Sequence, residues 1–386
     1  MYDYCVSQKA MSKRAVLIFS GYNERGVIAF CRFCQAKNIP FAIVAAHPKD
    51  KVLLSNYRQN VIHIRSDQKL VLRGMEKYRT LTSCRLLGTN CGEIVILPST
   101  EFLNRFILSK RKTLEAMGYV VPLCSEDVYQ KISDKYSFFH LCKNHGISVP
   151  QELYPDEKPR PPFVVKPKTY FTQEKRKVNI KPLLVQDEKD FREVQRYLSS
   201  KDIFIQEFVR GRSVYFLFYI GKDGCTKVYS QENFIQQSNG RSIIAARSAN
   251  LHELPYVKPF VQLFHSLAFW GLVMVEVRLN EHGCYMIEAN PRLWGPSQLI
   301  NDSGMDLFSL WAKDLELVQE FSQSAYKIGV PYFWSGGIVE DRRAGKSLAF
   351  HNYNKEQFLD EYDQWLQGDV YLRDDTIGIF LQEVRG

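Results

Sequence analysis

The sequence predicts a mixed architecture, part α/β and part α+β, and three stretches carry that reading. Residues 15–20 (AVLIFS) form a short apolar run, a helical pattern follows over 26–37, and Phe41–Ala45 is apolar again. Strand, helix, strand in that order is the crossover unit of a parallel sheet. Further on, Val273, Val275 and Val277 alternate along a strand that Asn280, Glu281, His282 and Gly283 turn back into residues 284–289. That is a hairpin, hence an antiparallel element. Between them, residues 255–270 set Val257, Val261, Phe264 and Leu267 at helical spacing, a helix with an apolar face for packing.

The chain of 386 residues is long enough for two or three packed domains, and a hydrophobic content of 45% can build their cores. No apolar run reaches the roughly eighteen residues of a membrane span. The N-terminal MYDYCVSQKAMSKR lacks the apolar centre of a signal peptide, so a cytoplasmic location is expected. Of nine cysteines only Cys31 and Cys34 lie close together, and no second pair completes a zinc site; buried reduced thiols are expected. A formal charge of +9 suits either nucleic acid or small polyanions. No helix-turn-helix, zinc-finger or aromatic RNA-binding pattern is present, which favours polyphosphate and anionic substrates.

In chain order, residues 61–64 and 94–97 add strands to the first unit and 101–117 reads as a helix. The glycine-bounded turn from Gly21 to Gly26 follows the first strand. It has neither the Lys-Ser/Thr of a nucleoside-triphosphate loop nor the spacing of a dinucleotide fingerprint, and is either a substrate-side loop or a plain turn. Ser133 is read as the cap of a helix that ends near His145 and Gly146. Residues 163–167 (FVVKP) make an apolar strand with Lys166 near its end, where a lysine meets phosphate with little ordering cost. Residues 168–181 contain no glycine but carry Lys168, Lys175, Arg176, Lys177 and Lys181, either a side-chain phosphate lid or a solvated loop. A connector at 204–211 (FIQEFVRG), strands at 214–220 and 242–247, a helix at 307–321 and a small cap from 331 onward, including 353–366, complete the pattern.

The chemistry concentrates in the hairpin. Its return strand sets Glu288 and Asn290 beside Glu276, and two carboxylates with an amide oxygen form a hard, oxygen-only site suited to Mg²⁺. Pro291 ends the strand and places Arg292 where an anion would sit. The competing reading is a surface hairpin with scattered charges.

Glu276 with Glu288-Ala289-Asn290-Pro291-Arg292 resembles the metal-binding segment of the ATP-grasp superfamily, which includes D-alanine–D-alanine ligases, biotin carboxylase and carbamoyl-phosphate synthetase. The continuation Leu293-Trp294-Gly295 is similar to the Asn-Pro-Arg-Phe-Trp-Gly form of bacterial carboxylate–amine ligases. Upstream, Asp134-Lys135, the exit Gly146-Ile147-Ser148-Val149-Pro150 and Lys166-Pro167 match the same pattern. The resemblance implies an ATP-grasp fold, two β-rich subdomains sandwiching ATP, preceded by a small parallel α/β domain. It divides the chain into an N-terminal domain over 1–125, a small subdomain with a phosphate lid over 126–210, a large subdomain with the metal site over 211–330, and a C-terminal cap over 331–386.

By the same resemblance Lys135 and Lys166 reach ATP phosphates, while Gln206, Glu207, Phe208 and Val209 receive the adenine. Glu276, Glu288 and Asn290 hold Mg²⁺ (or Mn²⁺ in its place), and Arg292 and Arg247 face the transferred phosphoryl group or the bound carboxylate. Two departures stand out: the lid lacks glycine, and Ser213 occupies the position where the family has an acid for the ribose. The implied activity is ATP-dependent ligation of a small carboxylate to an amine through an acyl phosphate, on an amino acid or small peptide. No nucleic acid or membrane partner is implied, and a homodimer is usual in the family. The alternatives are a kinase or carboxylase of the same fold, and a nucleotide-binding regulatory protein without catalysis.

Overall fold

The computed structural model describes residues 14–385 apart from 67–69, 88–91, 155, 157–158, 171–181, 196–197, 199 and 321–323. Most of the basic lid falls outside the described residues, as does the N-terminal stretch read for a signal peptide. Three sheets organise the rest. β1 (Arg14–Phe19), β2 (Phe41–Ala45), β3 (Val61–Ile64), β4 (Glu93–Ile96) and β5 (Tyr119–Val120) form a parallel sheet in the order β3-β2-β1-β4-β5. Helices cover both of its faces, which is why β1 and β2 are apolar at nearly every position.

β6 (Glu152–Leu153), β7 (Phe163–Pro167), β8 (Leu183–Val185) and β9 (Ile203–Glu207) make a small antiparallel sheet in the order β6-β9-β7-β8. It has its own core of Phe163, Val165, Val185, Val194, Ile203 and Ile205. The large sheet runs β14-β13-β10-β11-β12-β15, built from β10 (Arg212–Ile220), β11 (Thr226–Gln236), β12 (Ile243–Ala249), β13 (Gly271–Asn280), β14 (Gly283–Asn290) and β15 (Pro331–Phe333), with β16 (Ala349–Phe350) on β11. Val214, Phe216 and Phe218 of β10 face helix Val257–Ser266, and Tyr215, Leu217 and Tyr219 face the opposite core. Burial on both faces turns this antiparallel strand into a continuous apolar run.

Both cores continue from the first sheet into the large one. On one side the helix Glu24–Ala36 sends Phe30 between Phe308 and Trp311, at ring-centroid distances of 5.1 and 5.3 Å. That helix also buries Cys31 and Cys34 as free thiols, and no metal-ligating cluster of three is present among the described residues. Burial pushes both thiols well above their ordinary range. No helix among the described residues is long and apolar enough to cross a membrane.

Four helix boundaries differ from the sequence reading. The helix expected over 255–270 spans only Val257–Ser266. The helix expected over 101–117 divides at Lys110 into Glu101–Ser109 and Arg111–Ala116. Ser133 closes the helix Glu126–Ser133, which Ser125 caps, and Asp134 precedes the next helix, Lys135–Asn144. The helix expected over 307–321 stops at Asp314, because Glu316 enters the left-handed region (φ 53°) and the Leu317 amide closes onto Ala312 O. After residue 330 the chain is woven into the large sheet: β15 pairs with β12, β16 pairs with β11, and Trp365 is buried among Phe234, Phe333 and Tyr353.

Gly211, the hinge between the small and large sheets, has φ 147° and lies so close to β13 that a Cβ would sit 2.4 Å from Leu279 O. Gly211→Ala should therefore destabilise the protein by about 1–3 kcal/mol, because the backbone must relax at both places. Urea unfolding of the variant beside wild type measures this, and equal midpoints would contradict it.

Candidate active site

The β13–β14 hairpin brings the two carboxylates together by strand register. Glu276 lies directly opposite Glu288, and Asn290 is opposite Met274, so Glu276, Glu288 and Asn290 share one face. One step further the register shifts: Val277 pairs with Met286, leaving Ile287 as the extra residue of a bulge. The Ile287 carbonyl, at this bulge, accepts a hydrogen bond of 2.9 Å from Lys166 Nζ on β7. The small sheet thus reaches the hairpin through the lysine that the sequence singled out.

Four cations surround the pair. Lys135, the first residue of its helix, donates to Glu288 Oε2. Arg278 donates to Glu276 Oε1 at 3.2 Å, and Lys166 stands beside both carboxylates. Arg292 donates to Asn290 Oδ1 at 2.8 Å, while the Asn290 amide donates to Glu288 Oε1 at 2.8 Å. Burial raises Glu276 above the usual carboxylate range, with Arg278 opposing and Glu288 reinforcing the shift. Burial also acts against the charge of Glu288, but Lys135 overrides it and holds this carboxyl below its ordinary value. Lys166 is pushed down to about 8 by burial and by the neighbouring charge of Lys135. Cations outnumber anions here, a field suited to a polyphosphate.

A cleft of about 780 Å³ opens over this cluster. Lys166, the Gln206–Val209 connector, Glu276, Arg278, Ile287 and Glu288 line one side of it. Residues 345–351, from the C-terminal segment, line the other. Gln206 is buried on β9, and its side-chain oxygen finds no partner among the described residues, so an acceptor is left open to a ligand. Glu207 is tied to Gln151, whose amide donates to its carboxylate at 3.0 Å. A shallower cavity of about 890 Å³ lies on the outer side of the same connector and holds neither paired carboxylate.

Two expected site residues are placed elsewhere. Ser213 is fully buried in β10, and its hydroxyl accepts a hydrogen bond of 3.1 Å from Asn233, so it presents nothing to a ribose. Arg247 lies on β12, separated from β13 by β10 and β11. It pairs with Glu361 at 2.5 Å and stacks 4.3 Å over the Trp365 ring. Its length and charge are used to fasten the C-terminal helices to the sheet. Lys168, the described end of the basic stretch, lies 4.7 Å over the Tyr136 ring.

Arg278 was readable in principle, since it is two residues beyond Glu276 and must share its face. His351 comes from the tail and meets it: Nδ1 accepts from Arg278 at 3.2 Å, and Nε2 donates to Gln236 Oε1 at 3.0 Å. An arginine can only donate and an amide oxygen can only accept, which makes this the neutral imidazole.

A second cavity, about 470 Å³, lies on the other side of Glu288. Its lining includes Glu24, Arg25, Lys51, Arg241, Arg292 and Trp294. Residues 23–25 of the turn between Gly21 and Gly26 therefore face a cavity. Two glycines let the parts meet. A Cβ on Gly26 would come within 3.0 Å of Trp294 O, and one on Gly295 would come within 3.1 Å of the Arg25 guanidinium.

Glu276 and Glu288 are two hard oxygen donors on one face, and they fit a Mg²⁺ ion that completes its shell from phosphate oxygens and water. Asn290 fits less directly, because its oxygen is taken by Arg292 and its amide by Glu288.

Comparison with known proteins bears on the fold. Residues 132–296 match the family model of the ATP-grasp domain. No curated protein matches by sequence. Among solved structures, the ADP complex of an N5-carboxyaminoimidazole ribonucleotide synthetase aligns with a TM-score of 0.57 at 14% identity, over 83% of this chain and 80% of that one. The biotin carboxylase domain of Hydrogenobacter thermophilus 2-oxoglutarate carboxylase, in complex with MgADP and bicarbonate, aligns with a TM-score of 0.57 at 14% identity, over 83% and 73%. Campylobacter jejuni biotin carboxylase aligns with a TM-score of 0.56 at 12% identity, over 82% and 74%. These likenesses establish the fold.

Burial lowers the pKa of His351 to about 3, and Arg278 adds to the effect. A proton therefore binds the unfolded chain better than the folded one. The stability is complete above about pH 6.5 and is lost as pH falls toward 3, at no more than about 1.4 kcal/mol per pH unit. His351→Gln should reduce the loss of stability between pH 7 and pH 5, measured by chemical denaturation at both. Parallel pH dependence in variant and wild type would refute this assignment.

Proposed function

We propose, from the premise that the chain belongs to the ATP-grasp superfamily through residues 132–296, that it is an ATP-dependent ligase joining a small carboxylic acid to an amine. Glu288 carries the reading, because it lines both the cleft and the second cavity. A phosphoryl donor in the first and an acceptor in the second would meet across that one side chain. In this reading ATP lies in the cleft, its adenine against the Gln206–Val209 connector with the open Gln206 oxygen toward the base.

Lys135 and Lys166 take the phosphate charge, and Arg292 orients the acid. Glu276 and Glu288 would hold Mg²⁺, which supplies charge neutralisation to the phosphates. One carboxylate oxygen of the acid attacks the γ-phosphorus. The bond to the β–γ bridging oxygen breaks, and ADP leaves. The amine nitrogen then attacks the carbonyl carbon of the acyl phosphate, the bond to the phosphate oxygen breaks, and the nitrogen gives up a proton as the amide forms. No protein nucleophile is needed; positioning and fixed charge lower the barrier. A second cavity of about 470 Å³ is roomy enough for an amino acid or short peptide, which favours that class of acid over bicarbonate.

Glu288→Gln keeps the shape and removes the charge. It should cut ADP release by about 100-fold or more while circular dichroism and thermal midpoint stay close to wild type. ADP release measured over a pool of amino acids and amines, with product masses, gives the comparison. Turnover by the variant at the wild-type rate would end this reading.

A further inference from the structure

The second cavity is lined by four cations, and two of them are already neutralised. Lys51 pairs with Glu383 at 2.7 Å, and Arg241 pairs with Asp341 and Glu340. Arg25 and Arg292 form no ion pair with any described residue. Arg25 is clamped: Nη1 donates to Ile243 O at 3.0 Å and to Tyr332 Oη at 3.3 Å, and the guanidinium lies 3.8 Å over the Trp334 ring. Its Nε and Nη2 bond to none of the described residues. Arg292 is spent in part, on Leu293 O and Asn290 Oδ1, and its Nε is buried without a partner among the described residues.

A third donor set points the same way. Arg25 lies in the first turn of the helix Glu24–Ala36, whose cap residue Asn23 (φ 53°) makes no side-chain cap. The Asn23 amide is turned away, to Ser99 O at 3.0 Å and Leu293 O at 2.9 Å. The helix thus keeps the positive end of its dipole toward the cavity, next to an arginine with free N–H groups. A half-buried guanidinium with unused N–H groups facing a cavity has donor capacity that an anion completes. Gly295 lets the backbone approach this side chain, since a Cβ there would lie 3.1 Å from the Arg25 guanidinium.

We propose that Arg25 and Arg292 together form the carboxylate-binding subsite for the acid to be activated, with the uncapped helix end behind them and Glu288 beside them. This rests on the ligase reading and extends it to a residue of the N-terminal domain. The Glu24 carboxylate, on the same turn, forms no hydrogen bond or ion pair with a described residue and stands at the same wall, where the ammonium of a zwitterionic acid can meet it.

The test is a thermal-shift series on the full chain with saturating MgADP. The probes are the twenty proteinogenic amino acids, glycylglycine, succinate, citrate and inorganic phosphate. In wild type, MgADP should raise the midpoint, and at least one organic carboxylate should raise it further. Arg25→Gln should weaken that second shift about tenfold or more in concentration while the MgADP shift remains. Gly295→Ala crowds the guanidinium without removing its charge and should weaken the same shift, which covers the case of an unstable Arg25 variant. Carboxylate shifts unchanged in both variants would overturn the proposal, as would a response to inorganic phosphate alone or to no carboxylate at all. Absence of the MgADP shift in wild type would overturn the ligase reading as well, so the two failures are distinguishable.

Discussion

Two carboxylates brought side by side out of bulk water repel each other, and the surroundings of Glu276 and Glu288 answer that repulsion. Lys135, Lys166, Arg278 and Arg292 converge on them from two helix or turn positions, from the small sheet and from the same strand. Without those cations at least one acid would take up a proton. The two shifts in opposite directions show how the load is shared: Glu288, with the ammonium of Lys135 and the amide of Asn290, keeps its charge more firmly than Glu276. The cluster ties the small sheet to the large one at one point. Lys166 extends from the small sheet to the Ile287 carbonyl, at the bulge of the edge strand β14.

The parallel-sheet unit meets the large sheet at the same point. Asn23 gives its amide to two carbonyls, one of them Leu293 O in the turn that follows the metal-type motif. Gly26 and Gly295 remove the side chains that would hold the two segments apart. A strand-to-helix turn of the parallel sheet and a turn of the antiparallel sheet become the two halves of one wall. That is the ordinary place for a ligand in a parallel α/β unit, beyond the carboxyl end of a strand. The C-terminal segment supplies the remaining sides: residues 345–351 border the cleft, and Trp334, Glu340, Tyr371 and Glu383 border the second cavity.

The departures from the sequence reading have physical causes that lie far along the chain. Arg247 lies near the end of an apolar strand, the position of a cation that faces a ligand, yet Glu361 and Trp365 offer it a carboxylate and an aromatic face. Ser213 sits at the motif position for a ribose contact, but the central strand of the large sheet buries it and Asn233 takes its hydroxyl. The helix beginning at Lys135 was recognisable, but its start was misplaced by one residue. Ser133 belongs to the preceding helix, and the Asp134 carboxylate is spent on Arg105 and the Tyr170 amide.

What the amino-acid order determined by itself was whatever rests on neighbours a few residues apart. The crossover unit at 15–45, the hairpin, the pairing of Glu276 with Glu288, and the approach of a strand lysine all follow from periods of two and 3.6 and from a contiguous motif. Only the tertiary structure decided which cations remain free and which are spent, and where the second cavity lies. Arg25 depends on Ile243, Tyr332 and Trp334, and Lys51 depends on Glu383, pairs separated by more than two hundred positions. An isolated arginine has the same chemistry in every sequence. Its role is set by the acids and carbonyls that folding places within about 3 Å of it, and no local pattern encodes that distance.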